Sequence, residues 1–336
     1  MVVQEAGERL KRSPIIFITG GDGFIGSAIK KELGEFPLYS PSIPELDITQ
    51  PVEVNRAIHE FRGDTVINAA GMTDVPGIEK SYTLLRKAQM VNFVGARNIA
   101  NACVREEKNL VFIASGYERA GSEAHPGPYP ENAPLADEVG EVDLLGRYAQ
   151  TKLLGDRAVR EAYKDWPSGL TVVFIDYPCG VVEGIAPEFQ RPWYLQTLLI
   201  NQRKGYPAFG DQCLTITPVW KIGEAISIIR RENLSGVFNV AAKGVTTPFE
   251  FLKYMMEKLG EESNQVTEGS IIEYEKKLKE KGGKLIWPVR GGFDVSHTEK
   301  VLAAVEPGFT FPTWQEVVDQ LIEGDGGLRE FWQSLQ

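Results

Sequence analysis

The chain is predicted to be an α/β protein, a Rossmann-type doubly wound parallel sheet with a smaller C-terminal α/β lobe. Three observations predict it. Apolar, β-branched runs alternate with helical periodicities over the first 180 residues. A glycine-rich turn joins the first run to the first helix. Beyond residue 180 the alternation loosens, as expected where a second lobe begins. Strand and helix in strict turn imply a parallel sheet covered on both faces.

The elements follow in order. "IIFIT" (15–19) is a buried parallel strand ended by glycines, and Phe24, Ile25, Ala28, Ile29 and Leu33 then recur at helical spacing. "FPLYS" is a poorly marked second strand, and "TVINAAG" (65–71) a third. "LLRKAQMVNFVGARNIANACVRE" reads as one long helix, "NLVFIAS" (109–115) as a strand, "RYAQTKLLGDRAVREAYKD" as a helix and "LTVVFIDYP" (170–178) as a strand. Later, "EFQRPWYLQTLLINQRKG" and "PFEFLKYMMEKLG" read as helices around the short strand "SGVFNVAA". "EESNQVTEGSIIEYEKKLKEKGGK" is charged throughout and reads as an exposed segment, with helical runs near 298–305 and 313–334 closing the chain. These readings place a dinucleotide-type domain at 13–180 and a substrate lobe at 181–336, with some late segments returning to the sheet. The first fourteen residues read as a short polar arm.

Composition excludes several functions. Among 336 residues, 43% are hydrophobic and the formal net charge is -10, which argues against nucleic acid or an anionic membrane surface as partner. No window has the ~18 uninterrupted apolar residues of a membrane span. Three scattered cysteines imply no disulfide framework, and three scattered histidines imply no metal site. The expected location is cytoplasmic, and the fold class permits a homodimer.

Gly20, Gly23 and Gly26 form a GxxGxxG spacing between strand and helix, with Phe24 and Ile25 opening the helix. Glycines there allow a tight turn, close backbone approach to a pyrophosphate, and helix–strand packing. The helix N-terminus then offers free N–H groups to phosphate. A ribose-binding acid is expected about 20 residues on. The second strand instead ends at Ser40 without one, while Glu45 and Asp47 lie beyond. Ser40 and Ser42 are then candidate donors to a 2′-phosphate, although no arginine stands by, and NADP is favoured over NAD.

Tyr148 and Lys152 stand at i and i+4 on one helix face. An ammonium beside a phenol stabilises the phenolate and suits it to proton transfer. Ser115 ends a strand at the carboxyl edge of the sheet, where open α/β folds bind ligands. Glycine loop, strand-end serine and Tyr-x-x-x-Lys pair together predict hydride chemistry on a ketone.

The blocks "ELDIT", "TVINAAGMTDV", "VNFVGARNIANAC", "FIASGYERAG", "RYAQTKLLGD", "FGDQCLTITPVW" and "GGFDVSHTEKVL" run in order along nearly the whole chain. On them the sequence resembles the extended short-chain dehydrogenase/reductases, most of all the dTDP-4-dehydrorhamnose reductases. The resemblance implies that Asp47 and Ile48 contact adenine, that Ala69, Ala70 and Gly71 line the dinucleotide cleft, and that Pro178, Cys179 and Gly180 lie near the nicotinamide. Tyr148 would be the proton donor and Lys152 would hold the nicotinamide ribose, with Ser115 where these reductases carry threonine. A nucleotide-linked 4-keto sugar is the implied substrate. Two blocks depart. The family's "STDYVFDG" is here "ASGYERAG", introducing Gly116, Glu118 and Arg119; its "RTSWVYG" is "DYPCGVV", with Asp176 for the arginine and Cys179 for the tryptophan. The loop "YPCGVVEG" also resembles the regulatory β subunit of methionine adenosyltransferase, a dinucleotide binder without catalysis. A sugar-nucleotide epimerase or dehydratase is a third reading, weakened because "SGYE" lacks the dehydratases' acid pair.

Other residues have two readings each. Asn92 either positions groups near the site or bonds locally within its helix. Arg191, Arg203, Lys204 and Arg290 are candidates for a substrate diphosphate or plain surface cations. Trp193 and Tyr194 either stack on a base or fill the core. His125 sits in a proline-rich loop and is not expected to be a catalyst, and nothing near Cys179 predicts a reactive thiolate.

Overall fold

A computed structural model describes residues 13–183, 185, 193–324 and 327–335; most of the expected polar arm lies outside them. The first half alternates as the sequence predicts: β1 (Ser13–Thr19), α1 (Phe24–Glu32), β2 (Leu38–Tyr39), α2 (Pro51–Glu60), β3 (Gly63–Asn68), α3 (Val75–Lys80), α4 (Tyr82–Ala88), α5 (Ala96–Arg105), β4 (Asn109–Ser115), α6 (Arg147–Ala162) and β5 (Leu170–Ile175). Six strands form one parallel sheet in the order β2-β1-β3-β4-β5-β9. The order reverses between β1 and β3, which makes their carboxyl ends the topological switch point where such sheets bind ligands.

Beyond β5 come β6 (Pro178–Cys179), α7 (Tyr194–Arg203), β7 (Ala208–Phe209), β8 (Thr217–Pro218), α8 (Val219–Arg231), β9 (Gly236–Val240), α9 (Pro248–Leu259), β10 (Glu268–Gly269), α10 (Ile271–Glu280), α11 (Ser296–Val305), α12 (Trp314–Glu323) and α13 (Leu328–Ser334). β9 lies in the main sheet beside β5, with Val173 opposite Phe238. The main core gathers Ile16, Phe17 and Ile18 of β1, Phe112 of β4, Phe174 of β5 and the buried face of α8. A second core joins α7, α9 and α12 through Leu195, Leu199, Phe251, Met255, Val317 and Leu321. Each such side chain contributes roughly 1.5–3 kcal/mol by leaving water.

Local differences have local causes. The long helix expected over 84–106 is interrupted by a π-helical segment, Gln89–Gly95, between α4 and α5. Such wide turns re-aim side chains, here that of Asn92. β5 stops at Ile175, short of the expected Pro178, because Tyr177 adopts a positive φ of 39° that no strand continues through. The charged stretch 261–284 contains a helix, α10, capped by Ser270 and anchored where Asp211 accepts from Ile271 N at 2.6 Å and from the Ser270 hydroxyl at 2.5 Å. Its charges solvate the outer face while Ile271 is buried.

Candidate active site

The glycine loop is packed as a cradle. Gly20 has φ +70°, and a Cβ on it would stand 2.6 Å from the Ala70 backbone. A Cβ on Gly26 would stand 2.1 Å from Gly20 O, so α1 can approach its own loop only through a hydrogen atom. Gly23 is different: its nearest neighbour to a Cβ would be 3.4 Å away, and the face it opens is free. As the N-cap of α1, Gly23 offers no side-chain acceptor to the first helical N–H groups. Free N–H donors with space in front of them fit a dinucleotide pyrophosphate. Phe24 and Ile25 pack against the core from the first turn, as expected of a helix start.

The rest of the cleft is tied to this loop. Asn68 accepts the Thr19 hydroxyl at 2.8 Å and the Ala70 N–H at 3.3 Å, fixing the Ala69–Ala70–Gly71 turn. Asn92 then grips the next residue, accepting from Met72 N at 2.8 Å and donating to Met72 O at 3.0 Å and Thr151 Oγ1 at 2.9 Å. Of the two readings for Asn92, the structure shows the long-range one. Ile48 is buried, with its carbonyl held by Asn98 at 3.0 Å, and Asp47 accepts from Thr49 N at 2.9 Å.

Ser40 and Ser42 differ. Ser42 donates to Glu45 at 3.1 Å, and that contact with the accompanying backbone bond holds the Glu45 carboxyl below its ordinary value. The Ser40 hydroxyl is buried beside Gly21 without a hydrogen-bond partner among the described residues. Lys30 reaches over the same glycine, its Cδ 3.2 Å from where a Cβ would stand, and its ammonium pairs with Asp22 at 3.4 Å. No arginine is expected here from the sequence, and the cation is Lys30, from the second turn of α1.

On the other side, α6 begins where Glu79 of α3 accepts from Tyr148 N at 3.0 Å, capping a helix whose own N-cap is Gly146. This sets Tyr148 and Lys152 facing β4. Tyr148 is buried, and burial pushes its phenol up to about 12, against the pull of a hydrogen bond with Ser115; Glu118 pushes it further up. The sequence reading expected Lys152 to keep the phenol acidic. In the structure the Lys152 ammonium donates to Ile113 O at 2.9 Å, and the group that favours the phenolate is Ser115. Ser115 is itself fixed: its N–H donates to Glu118 Oε1 at 2.8 Å and its hydroxyl accepts from Tyr117 N at 3.3 Å.

A wall of tyrosines, missed in the sequence, continues from Tyr148. Ring centroids step from Tyr148 to Tyr117 (5.8 Å), to Tyr177 (5.5 Å) and to Tyr194 (4.4 Å). Tyr194 therefore packs on another aromatic ring of this chain, and Trp193 packs against the second core. Cys179 is wholly buried in that core, its thiol pushed up by burial, and Pro178 is half-buried on β6 beside β8. Asp176 is buried beside Gly116 and is pushed up to about 7 by burial, with Thr215 hydrogen bonds and Arg119 opposing. Among the candidate phosphate ligands, Arg203 donates to Leu335 O, Arg290 pairs with Glu123 at 2.8 Å, Lys204 is exposed and Arg191 lies outside the described residues. His125 pairs with Glu141 at 3.0 Å. The described residues hold no group of three or more His, Cys, Asp or Glu that would bind a metal ion, and none of their helices is long and apolar enough to cross a membrane.

Comparison with known proteins adds to this geometry. Residues 14–281 match the family model described as the RmlD substrate binding domain. A protein of Haloferax volcanii named as a probable low-salt glycan biosynthesis reductase is 24% identical over 87% of this chain and 93% of its own. The dTDP-4-dehydrorhamnose reductase of Mycobacterium tuberculosis is 26% identical over 76% of this chain and 79% of its own. Among solved structures, dTDP-4-dehydrorhamnose reductase of Bacillus anthracis in complex with NADP superposes with a TM-score of 0.72 at 22% identity, covering 92% of this chain and 98% of that one. At that identity the likeness speaks for the fold.

Proposed function

This chain belongs to the RmlD substrate binding domain family, and on that premise we propose that it is an NAD(P)-dependent reductase of the extended short-chain type, acting on the ketone of a nucleotide-linked 4-keto sugar. The observation that carries the reading is the convergence of Ser115, Tyr148 and Lys152 at the carboxyl end of β4, beside a glycine cradle shaped for pyrophosphate. Relatives named as dTDP-4-dehydrorhamnose reductase and dTDP-4-keto-6-deoxy-D-glucose reductase support the substrate class.

Gly20, Gly23 and Gly26 with the start of α1 would hold the pyrophosphate, Asp47 and Ile48 the adenine side, and Ala69, Ala70 and Gly71 the cleft floor. Ser40 and Lys30 support NADP over NAD, because a buried unpartnered hydroxyl and a cation meet beside Gly21. The bound reduced nicotinamide supplies the hydride. Tyr148 donates the phenolic proton to the ketone oxygen, and its high proton affinity still lies below that of the alkoxide it protonates. Ser115 donates its single hydroxyl proton to the same ketone oxygen, stabilising the charge that develops there, and donates it to the phenolate once that oxygen is protonated. Lys152 presents a fixed positive charge under the site. The tyrosine wall excludes water and offers ring faces to a sugar.

Tyr148→Phe tests the reading. It removes the transferable proton while leaving the ring packing, so turnover of a 4-keto nucleotide sugar falls by about 100-fold or more while NADPH affinity stays within a few-fold. Undiminished turnover would discard the assignment.

A further inference from the structure

The mechanism leaves one buried acid unexplained. Glu118 is fully enclosed, at 0% exposure, in the turn that follows β4. Its Oε1 accepts the Ser115 N–H at 2.8 Å, and the Ser115 hydroxyl accepts in return from Tyr117 N at 3.3 Å. Its other oxygen, Oε2, is buried without a hydrogen-bond partner among the described residues. A carboxylate in that state is costly unless an opposite charge faces it.

Two cations do. Arg119, next in the chain, spreads its guanidinium over Phe174 at 4.2 Å and also faces Tyr129, Phe293 and Asp176. Lys152 of α6 is the other. Its ammonium donates to Ile113 O, two residues before Ser115 on the same strand, and lies 5.0 Å from the Phe112 ring centroid. Lys152 and Glu118 thus bracket the end of β4 from helix and turn. Asp156, one turn beyond Lys152 on α6, also faces this pair, but its carboxylate is engaged by Arg160, at 3.2 Å to Nη2.

We infer that Glu118 is a positioning residue for the reductase site: its hydrogen bond fixes Ser115, and its buried carboxyl brackets the end of β4 together with Lys152, as the counter-group to that ammonium. The inference rests on the catalytic assignment of Ser115, Tyr148 and Lys152. The electrostatics run in one direction. Burial lowers the Lys152 ammonium, and Glu118 then Asp156 hold it up. Burial, then Asp156, raises the Glu118 carboxyl to about 8 against the pull of Lys152, so its charge is present on the basic side of that value and there holds the Lys152 ammonium up. Glu118 also raises Tyr148. Removing its charge therefore lowers the proton affinity of both catalytic groups.

Three variants separate the two roles. Glu118→Gln keeps an acceptor for Ser115 N–H and loses the charge; Glu118→Val loses both; Glu118→Asp keeps charge and draws it back from Ser115. Each is measured for folding by circular dichroism, for NADPH affinity by fluorescence between pH 6 and 10, and for kcat and KM on the 4-keto nucleotide sugar that the wild type reduces. In Glu118→Gln the basic limb of the kcat profile, and the rise of the NADPH Kd with pH, move down by about one unit while Kd at pH 6 stays within about two-fold. Glu118→Val adds about a ten-fold loss of kcat at every pH. If Glu118→Gln does not fold, Glu118→Asp carries the test, with kcat lowered and the basic limb unmoved. Wild-type profiles in Glu118→Gln, or a displaced limb in Glu118→Asp, overturn the inference. With Tyr148→Phe run alongside, its inactivity preserves the catalytic reading even if Glu118 proves silent; full activity of Tyr148→Phe removes that reading first.

Discussion

Alanine at Gly23 and at Gly26 should fail in different ways, and the difference measures what the glycine motif is for. At Gly26 a Cβ would stand 2.1 Å from Gly20 O, 2.7 Å from Gly21 Cα and 2.8 Å from Gly20 C, all backbone atoms. None of these moves without displacing the loop from α1, so Gly26→Ala costs about 1–3 kcal/mol of stability and deforms the cradle with it. At Gly23 the nearest atom would be 3.4 Å away, an ordinary contact, and its φ of -83° suits any residue. Gly23→Ala therefore changes stability by less than about 1 kcal/mol, the scale of an altered N-cap. Its methyl group instead projects onto the open face in front of the α1 N–H groups. Loss of one or two close phosphate contacts there weakens NADPH binding by about 10- to 100-fold, or about 1.4–2.8 kcal/mol. Urea denaturation and NADPH fluorescence titration, run on both variants, give the four numbers needed. Wild-type NADPH affinity in Gly23→Ala would refute the assignment of this loop to the pyrophosphate. Wild-type stability in Gly26→Ala would refute the packing argument.

Asn92→Ala removes two bonds to Met72 and one to Thr151, all buried or partly so; a loss of about 2–3 kcal/mol by urea midpoint, together with weaker NADPH binding, is expected. Asp176→Asn reads the buried carboxyl directly. Its folded value of about 7 stands above the 3.8 of an ordinary aspartate, so ionising Asp176 costs the wild type up to about 4 kcal/mol as pH rises from about 4 to 7, a contribution the asparagine variant lacks. Equal slopes in the two proteins would show that Asp176 is not buried as described.

The parts of the site that were legible in the sequence are those fixed by local geometry. The Gly20–Gly23–Gly26 spacing and the i, i+4 pair Tyr148–Lys152 need only a strand, a turn and a helix to acquire their meaning. Ser115 was legible because the last residue of an apolar parallel strand lies at the ligand edge. What was not legible depends on partners far apart in the chain. Lys30 matters through its approach to Gly21 and Ser40, which needs β2 to lie beside β1. Tyr177 becomes part of an aromatic wall only when its positive φ breaks β5 and turns the ring toward Tyr117 and Tyr194. Asp156 did carry a local signal, since it continues the Tyr148–Lys152 stripe by one more turn, but a single acid on a helix reads as solvated until its burial is seen. Lys152 shares a helix face with Tyr148, yet its ammonium reaches Ile113 O, because spacing along a helix states which side chains share a face and not which atom an ammonium reaches.

The two blocks in which this chain departs from the reductases it resembles are adjacent in space. Ser115 is paired with Ile175 across β4 and β5, so the next residues, Gly116 and Asp176, leave the sheet side by side. A Cβ on Gly116 would already lie 3.0 Å from Asp176 Oδ1 and 3.1 Å from Phe293 Cζ. An aspartate at 116, as those reductases carry, would confront Asp176 with a like charge in a buried setting. Glycine removes the conflict. The positive charge those reductases have at 176 is supplied here from 119, where Arg119 faces Asp176 from the aromatic box of Tyr129, Phe174 and Phe293. Glu118 and Arg119 are consecutive in the chain, the first acting on Lys152 and the second on Asp176. On the proposed function, two consecutive residues therefore join the pocket to its proton chemistry.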